Sequence, residues 1–358
     1  MNKRSEGKFI ATAVQAAPVL PLSRQKTTEK IMDLMSKAAK EGSRLIVFPE
    51  TFIPTYPNFS IDLQRPNEWQ ENLRYLLSES VFVPGLEIDM IAKHAKDLCV
   101  HISLGINERV REYSARLYNT QVFINSEGKI IGVRRKLLPT NREKVFWTAG
   151  DGSDLQVYDT ELGKIGGLIC YENLQPLFKY ALMGMGEEIH CSCWPGWPDY
   201  KKGRSNKHVI DVAIRQYALE GQCFVVNSCM YINNSSVPAD FFGNAAWVYF
   251  GGSGIVNPMG EYVAGPVYDK EAMVHGEIDL SLNLLRKSLF DITGKDQRWD
   301  VIQLAWNKKN HGPFYQEAHN GYAQFSDSHK LLEEKIAALK DEIIDIKKII
   351  EGKILKEK

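Results

Sequence analysis

The chain reads as an α/β protein built on mixed sheets covered by helices. Two observations carry that reading. Amphipathic helical segments alternate with short apolar strand-like runs through the first hundred residues. Hairpin-like pairs then appear in the middle and near the end, which a purely parallel sheet would lack.

Taken in order, Phe9 to Ala17 reads as a strand. Residues 23 to 41 read as an amphipathic helix. Ser23 is its N-cap, Ile31, Leu34, Met35, Ala38 and Ala39 share one face, and Gly42 stops it. Leu45 to Phe48 form a short, β-branched-rich buried strand, which Pro49 ends because it has no N–H for the ladder. Residues 86 to 98 repeat the helical pattern, with Ile88, Ile91, Ala92 and Ala95 facing inward, and Val100 to Ile106 returns to strand. A hairpin follows: Tyr118 to Asn125, a turn at Ser126-Glu127-Gly128, then Lys129 to Arg135. The strand leading to Cys170 comes next. After it come a helix at 176–184, a strand at 188–194, a helix at 206–220, a strand at 222–230, and short strands at 253–257 and 273–279.

Size and charge narrow the function. A chain of 358 residues, 44% hydrophobic and 25% charged, has the composition of a globular protein with a large core. Its formal net charge is zero, so no global field recruits nucleic acid or an anionic membrane. No uninterrupted apolar run reaches membrane-spanning length, and Met1 to Lys8 lacks the apolar core of a signal peptide. The six cysteines sit mostly in apolar strand-like contexts without a disulfide spacing, which suits a reducing cytoplasm. Cys191-Ser-Cys193 has no second ligand pair, so no metal site is expected.

Three strand ends carry chemistry. Glu50 follows the strand Arg44-Leu-Ile-Val-Phe-Pro-Glu50, at the carboxyl end where α/β proteins place ligands. Lys136 closes Arg134-Arg-Lys136, just after the hairpin. Cys170 sits in Gly166-Gly-Leu-Ile-Cys-Tyr-Glu172, at a strand-to-helix turn whose peptide N–H groups favour a thiolate and later an oxyanion. Each alone has a plain reading: a solvated strand-end charge, a basic surface edge, a small buried residue filling a gap. Together they supply a base, a cation and a nucleophile. A free thiol is only a few per cent ionised near neutrality, about pKa 8.5. A neighbouring ammonium lowers such a value by roughly one to three units, so Lys136 is expected to supply thiolate, with Cys170 open on one side. Glu50 is expected to take the thiol proton and then activate water.

These segments, with Ala13-Val-Gln-Ala-Ala-Pro18, Phe48-Pro-Glu50, Tyr56-Pro57, Tyr118-Asn-Thr-Gln121, Arg135-Lys-Leu-Leu-Pro-Thr140, Gly150-Asp-Gly-Ser153, Pro176-Leu177, Ile189-His190 and Trp194-Pro195, form an ordered set. In them the chain resembles the carbon–nitrogen hydrolase (nitrilase) superfamily, most closely its nitrilase branch, over roughly residues 8 to 300. The resemblance implies a four-layer α-β-β-α sandwich and a Glu–Lys–Cys triad of Glu50, Lys136 and Cys170. It also implies a second glutamate, Glu143, that orients the lysine and the substrate, and chemistry without a metal or organic cofactor. The activity implied is hydrolysis of an organic nitrile to a carboxylic acid and ammonia. An amidase, an N-carbamoyl hydrolase or a cyanide-hydrolysing enzyme would use the same triad, and a non-catalytic oligomeric scaffold is the contrasting reading. Tyr56, Trp147, Tyr171, Trp194 and Trp197 lie near the motifs as candidate pocket walls, although aromatics also serve as plain core. Two departures stand out. Tyr171 replaces the tryptophan usual after the nucleophile, and Gly294 to Asp300 lacks the histidine relatives often carry there.

Residues 301 to 325 read as a linker-like tail rich in Gly, Asn, His and aromatics. In the segment 326–357, Leu332, Ile336, Leu339, Ile343, Ile346 and Ile350 then recur at alternating spacings of four and three, a heptad seam. The expectation is a C-terminal helix that pairs between subunits of a homo-oligomer; the alternative is a helix lying on its own domain.

Overall fold

A computed structural model describes residues 8–57, 66–110, 114–197, 206–233, 237 and 249–310. The described residues up to Lys308 belong to one compact unit. The heptad seam lies outside the described residues.

The elements follow the expected alternation. They are β1 (Phe9–Gln15), α1 (Arg24–Lys40), β2 (Ser43–Val47), α2 (Pro66–Glu79), α3 (Leu86–Leu98), β3 (His101–Arg109), β4 (Leu117–Ile124) and β5 (Ile130–Arg135). Then come β6 (Tyr158–Thr160), β7 (Gly163–Ile169), α4 (Pro176–Gly184), β8 (Ile189–Trp194), α5 (Asn206–Gly221) and β9 (Phe224–Cys229). The series closes with β10 (Tyr231–Ile232), β11 (Tyr249–Val256), β12 (Tyr262–Tyr268), β13 (Ala272–Ile278) and α6 (Ser281–Leu289). Ser23 caps α1 as its sequence position indicates, accepting from the Lys26 N–H at 3.2 Å. Ile31, Met35 and Ala38 are the buried face, while Leu34 and Ala39 are half-buried.

Two mixed sheets result. One runs β13-β1-β2-β3-β4-β5, and the other β10-β11-β9-β8-β7-β6 with β12 beside β11. Each has three parallel strands at its centre, β1–β3 in one and β7–β9 in the other, flanked by antiparallel neighbours. The sheets face each other across a core of Phe9, Ala11, Leu45, Val47, Phe123, Ile165, Ile189, Phe224 and Val226. Outside the first sheet, Ile31, Met35, Ala38, Ile88 and Ile91 of α1 and α3 pack on Ile46, Ile102 and Leu104. Outside the second, Leu182, Ile210, Ile214 and Tyr217 of α4 and α5 pack on Leu168, Val225 and Val256. This is the four-layer α-β-β-α order. Each fully buried Ile or Leu contributes roughly 1.5–3 kcal/mol.

Polar side chains tie the two sheets where apolar packing alone would let them slide. Gln121 Nε2 donates to Ser103 Oγ at 2.8 Å in its own sheet and to the Cys191 carbonyl at 2.9 Å in the other. Gly167 makes room for it: a Cβ there would lie 2.8 Å from the Gln121 amide.

Several elements escape a periodicity reading. β6 and β10 are too short to show alternation, and β12 carries Gly265-Pro266, a strand-breaking pair. α6 leaves Leu284, Leu285 and Leu289 exposed, so it has no clean buried stripe. Leu304 and Trp306 of the linker-like stretch pack against the core beneath α4 and α5. Among the described residues no helix is long and apolar enough to cross a membrane.

Candidate active site

Glu50, Lys136 and Cys170 each follow a strand that ends at the same edge of the sandwich. Beyond β2, Phe48 N–H still donates to the Ser103 carbonyl at 2.8 Å, and Pro49 then ends the ladder. The Pro49–Thr51 backbone crosses directly over Gly105 of β3. A Cβ on that residue would lie 2.2 Å from the Pro49 carbonyl oxygen, so only glycine lets Glu50 turn in here. Lys136 follows β5, with its N–H donating to the Asn119 carbonyl and its own carbonyl accepting from Gly150, both at 2.8 Å.

Cys170 follows β7 with φ +54°, a left-handed backbone that costs a non-glycine residue roughly 1 kcal/mol or more. The turn is held from below. Asn173 Nδ2 donates to the Cys170 carbonyl at 2.9 Å and to the Leu168 carbonyl at 3.2 Å. Asn173 Oδ1 in turn lies 2.8 Å from His190 Nε2, whose Nδ1 lies 2.8 Å from Glu187 Oε1. This polar stack is buried, so each contact replaces water that the groups have lost.

The side chains converge. Lys136 Nζ donates to Glu50 Oε1 at 3.0 Å and to Glu143 Oε2 at 2.8 Å. One carboxylate oxygen of Glu50, one of Glu143 and the Cys170 sulfur all lie within 4.8 Å of one another. Glu143 sits in a 3₁₀ turn over Asn141–Val145, where Oε2 also accepts the Thr140 N–H at 2.7 Å and Oε1 accepts the Tyr56 hydroxyl at 2.9 Å. Asn119 Nδ2 donates to Glu50 Oε1 at 2.6 Å. Among the described residues, Glu50 Oε2 accepts no hydrogen bond. It is the oxygen free to receive a proton. Two carboxylates and a thiol would form a metal-ligand set elsewhere. Here an ammonium already bridges the carboxylates, and a second cation beside it would be repelled.

Burial decides the electrostatics. Glu50 is removed from water, which raises its carboxyl to about 7 even though Lys136 pulls the other way. Lys136 loses hydration too, but Glu50 and Glu143 outweigh that loss and hold it protonated, well above its ordinary value. Cys170 differs from expectation: it is 0% exposed, not open on one side. Burial first, and then the charge of Glu50, pushes its thiol well above the ordinary range, while Lys136 opposes this only in part. These causes favour the protonated thiol over the thiolate.

The aromatics divide. Tyr56 and Trp147 are buried beside Glu143, edge to face at 5.5 Å, and Tyr56 meets Trp197 in the same way at 5.4 Å. Trp147 Nε1 donates to Asn107 Oδ1, and its ring centre lies 5.9 Å from Lys136 Nζ. Trp194 is buried in the apolar cluster that contains Cys170, against which the half-buried Tyr171 packs. Asn119, Glu172, Arg134 and Asn173 were not singled out from sequence. Of these, Asn119 carries a local signal, a polar residue within the strand Leu117–Ile124, which is buried on both faces.

The model of the family described as "Carbon-nitrogen hydrolase" matches residues 10–283. The chain is 35% identical over 302 residues to a nitrilase of Paraburkholderia phymatum, covering 84% of this chain and 86% of that one. It is 34% identical over 307 residues to a bifunctional nitrilase/nitrile hydratase of Nicotiana tabacum, covering 82% and 84%. A crystal structure of a carbon–nitrogen hydrolase from Helicobacter pylori superimposes with a TM-score of 0.65 at 21% identity, over 82% of this chain and 97% of that chain. With the family model matching residues 10–283, a stretch that holds Glu50, Lys136 and Cys170, and nitrilases about 35% identical over most of the chain, the chain belongs to the carbon–nitrogen hydrolase family, in its nitrilase branch.

Proposed function

We propose that this hydrolase converts an organic nitrile to a carboxylic acid and ammonia through a covalent intermediate on Cys170. The observation that carries the reading is the buried convergence of Glu50, Lys136 and Glu143 on one thiol.

The steps follow from the charges. As the Cys170 sulfur bonds to the nitrile carbon, its proton passes to Glu50, whose carboxyl near 7 can both accept and return it. One π pair of the C≡N bond moves to nitrogen, which takes up a proton, and a thioimidate forms. Lys136 and the N–H of Tyr171, the residue after Cys170, stabilise the charge that develops. Glu50 then deprotonates a water that adds to the thioimidate carbon. Collapse of that adduct with the C–N bond breaking releases ammonia and leaves a thioester. A second water gives the acid and restores the thiol. Splitting one difficult hydrolysis in two is the gain of covalent catalysis.

If the same adduct collapses by breaking the C–S bond, the product is an amide. The tobacco relative named as bifunctional favours including this branch. Tyr56, Trp147 and Trp194 suit an aryl-aliphatic or medium aliphatic nitrile.

Ammonia release across aliphatic, arylacetic and aromatic nitriles, the matching amides and cyanide tests the reading. Turnover of amides alone would replace it with an amidase. Cys170→Ala is expected to abolish turnover with the fold intact, and retained turnover would end the thiol mechanism.

A further inference from the structure

We propose that Glu172 is a positioning residue that sets where Lys136 and Cys170 stand relative to each other. The inference rests on the reading that these two groups act together on a nitrile.

Lys136 and Cys170 leave different sheets, and among the described residues no strand of one sheet pairs with a strand of the other. Something must fix their separation, because a misplacement of about 1 Å can cost a hundredfold in rate. Glu172 touches both. Its Oε1 accepts the N–H of Leu137, the residue after Lys136, at 2.7 Å. Its Oε2 accepts the N–H of Ile169, the residue before Cys170, at 2.9 Å. One planar carboxylate thus spans the two exit points, one residue away from each reacting group.

The charge of this clamp is cancelled locally. Arg134 Nη1 lies 2.7 Å from Glu172 Oε2, and the two side chains are 0% and 2% exposed. An unpaired third carboxylate would add to the repulsion already felt by Glu50 and Glu143. Buried ion pairs seldom add net stability, since an apolar pair of similar volume often does as well. Their use here is directional: the carboxylate accepts two N–H groups at set angles, which no apolar side chain can do.

Glu172→Gln in the full-length chain keeps the volume and removes one acceptor. Its NH₂ must then face either the Leu137 or the Ile169 N–H, donor against donor. We expect kcat for nitrile hydrolysis to fall at least tenfold with KM within threefold. We also expect the pH profile of Cys170 alkylation by iodoacetamide, followed on the Cys170 peptide by mass spectrometry, to move to higher pH as Lys136 loses its hold on the sulfur. Glu172→Asp keeps the charge opposite Arg134 but draws the carboxylate back by one methylene, and should rescue neither readout. The double variant Arg134→Met with Glu172→Met removes the pair without leaving an orphan charge. Because the Leu137 and Ile169 N–H groups lose their acceptor, it should melt somewhat below the parent and still turn over slowly. Recovery of kcat together with thermal stability in that double variant would reduce Glu172 to a structural role. So would a parental kcat and alkylation profile in Glu172→Gln. Alkylation needs no substrate, so a parent inactive on nitriles would sink the proposed function and still leave the clamp decided.

Discussion

Replacing Lys136 by Met removes the ammonium and keeps most of the side chain's length. The lost contacts are two charge-assisted hydrogen bonds, at 3.0 Å to Glu50 and 2.8 Å to Glu143. For catalysis, one preorganised donor to the growing negative charge disappears, an effect of about 2.7–4 kcal/mol, or about 10²–10³ in kcat. For stability, two buried carboxylates lose their shared partner, which costs about 3–5 kcal/mol when both stay ionised. They need not stay ionised. Without Lys136 the Glu50 carboxyl, already raised by burial, rises further above its unfolded value, so the folded protein binds more protons than the unfolded chain. Stability then falls as pH rises through that window. The melting-point gap between parent and Lys136→Met should therefore be small near pH 5 and widen to roughly 5–10 °C near pH 8. Steady-state ammonia release at pH 8 and thermal melts at both pH values check the two halves separately. A kcat within threefold of the parent would refute the transition-state role. A melting-point loss that does not vary with pH would refute the shared-charge argument.

Other outcomes follow from the same geometry. Parental kcat/KM should rise with pH through about 7, because Glu50 must be ionised to accept the thiol proton; an acid limb near an ordinary carboxylate value would remove Glu50 as the base. Over the same window the Glu50 contribution to stability should fall as pH rises, since its folded pKa lies above the unfolded one, and melts of parent against Glu50→Gln measure the difference. Tyr56→Phe deletes the hydroxyl that donates to Glu143 at 2.9 Å, and should lower kcat about tenfold while costing about 1–2 kcal/mol of stability; an unchanged kcat, read by ammonia release, would leave Tyr56 as packing only. Deleting residues 326–358 should lower the mass of the assembly in light scattering, and an unaltered mass would remove the proposed pairing of the C-terminal helix.

What was legible in the sequence was legible because the information was local. α1 and α3 declare themselves by their apolar period and, in α1, by the Ser23 cap, and they fall within a residue or two of their expected ends. β6 and α6 are made by their neighbours. β6 is three residues that pair with β7, and α6 exposes most of its leucines. Their cause is tertiary, so no window of sequence contains it. The same split runs through the basic run 134–136. Read locally, it is a surface edge; folded, each member is paired with a different acid, Glu172, Glu108 and Glu50 with Glu143. Strand alternation places Arg134 and Lys136 on one side and Arg135 on the other. Which acids meet them depends on two sheets coming together.

The state of the thiol shows how far residue types alone can carry chemistry. An ammonium beside a cysteine argues for thiolate, and the sequence supplies both. The sign reverses once Cys170 is enclosed with two carboxylates close to it, because desolvation acts on the charged sulfur before Lys136 can offset it. A neutral thiol beside a carboxyl that titrates near neutrality is a workable resting state. The proton has a nearby acceptor, its transfer relocates one negative charge within the pocket without changing the total, and the sulfur gains nucleophilicity only as it meets the electrophile. Lys136 bridges the carboxylates in the folded protein, and in the proposed mechanism it also meets the developing charge. That double service is why removing it should hurt stability and turnover by separate routes that pH can pull apart.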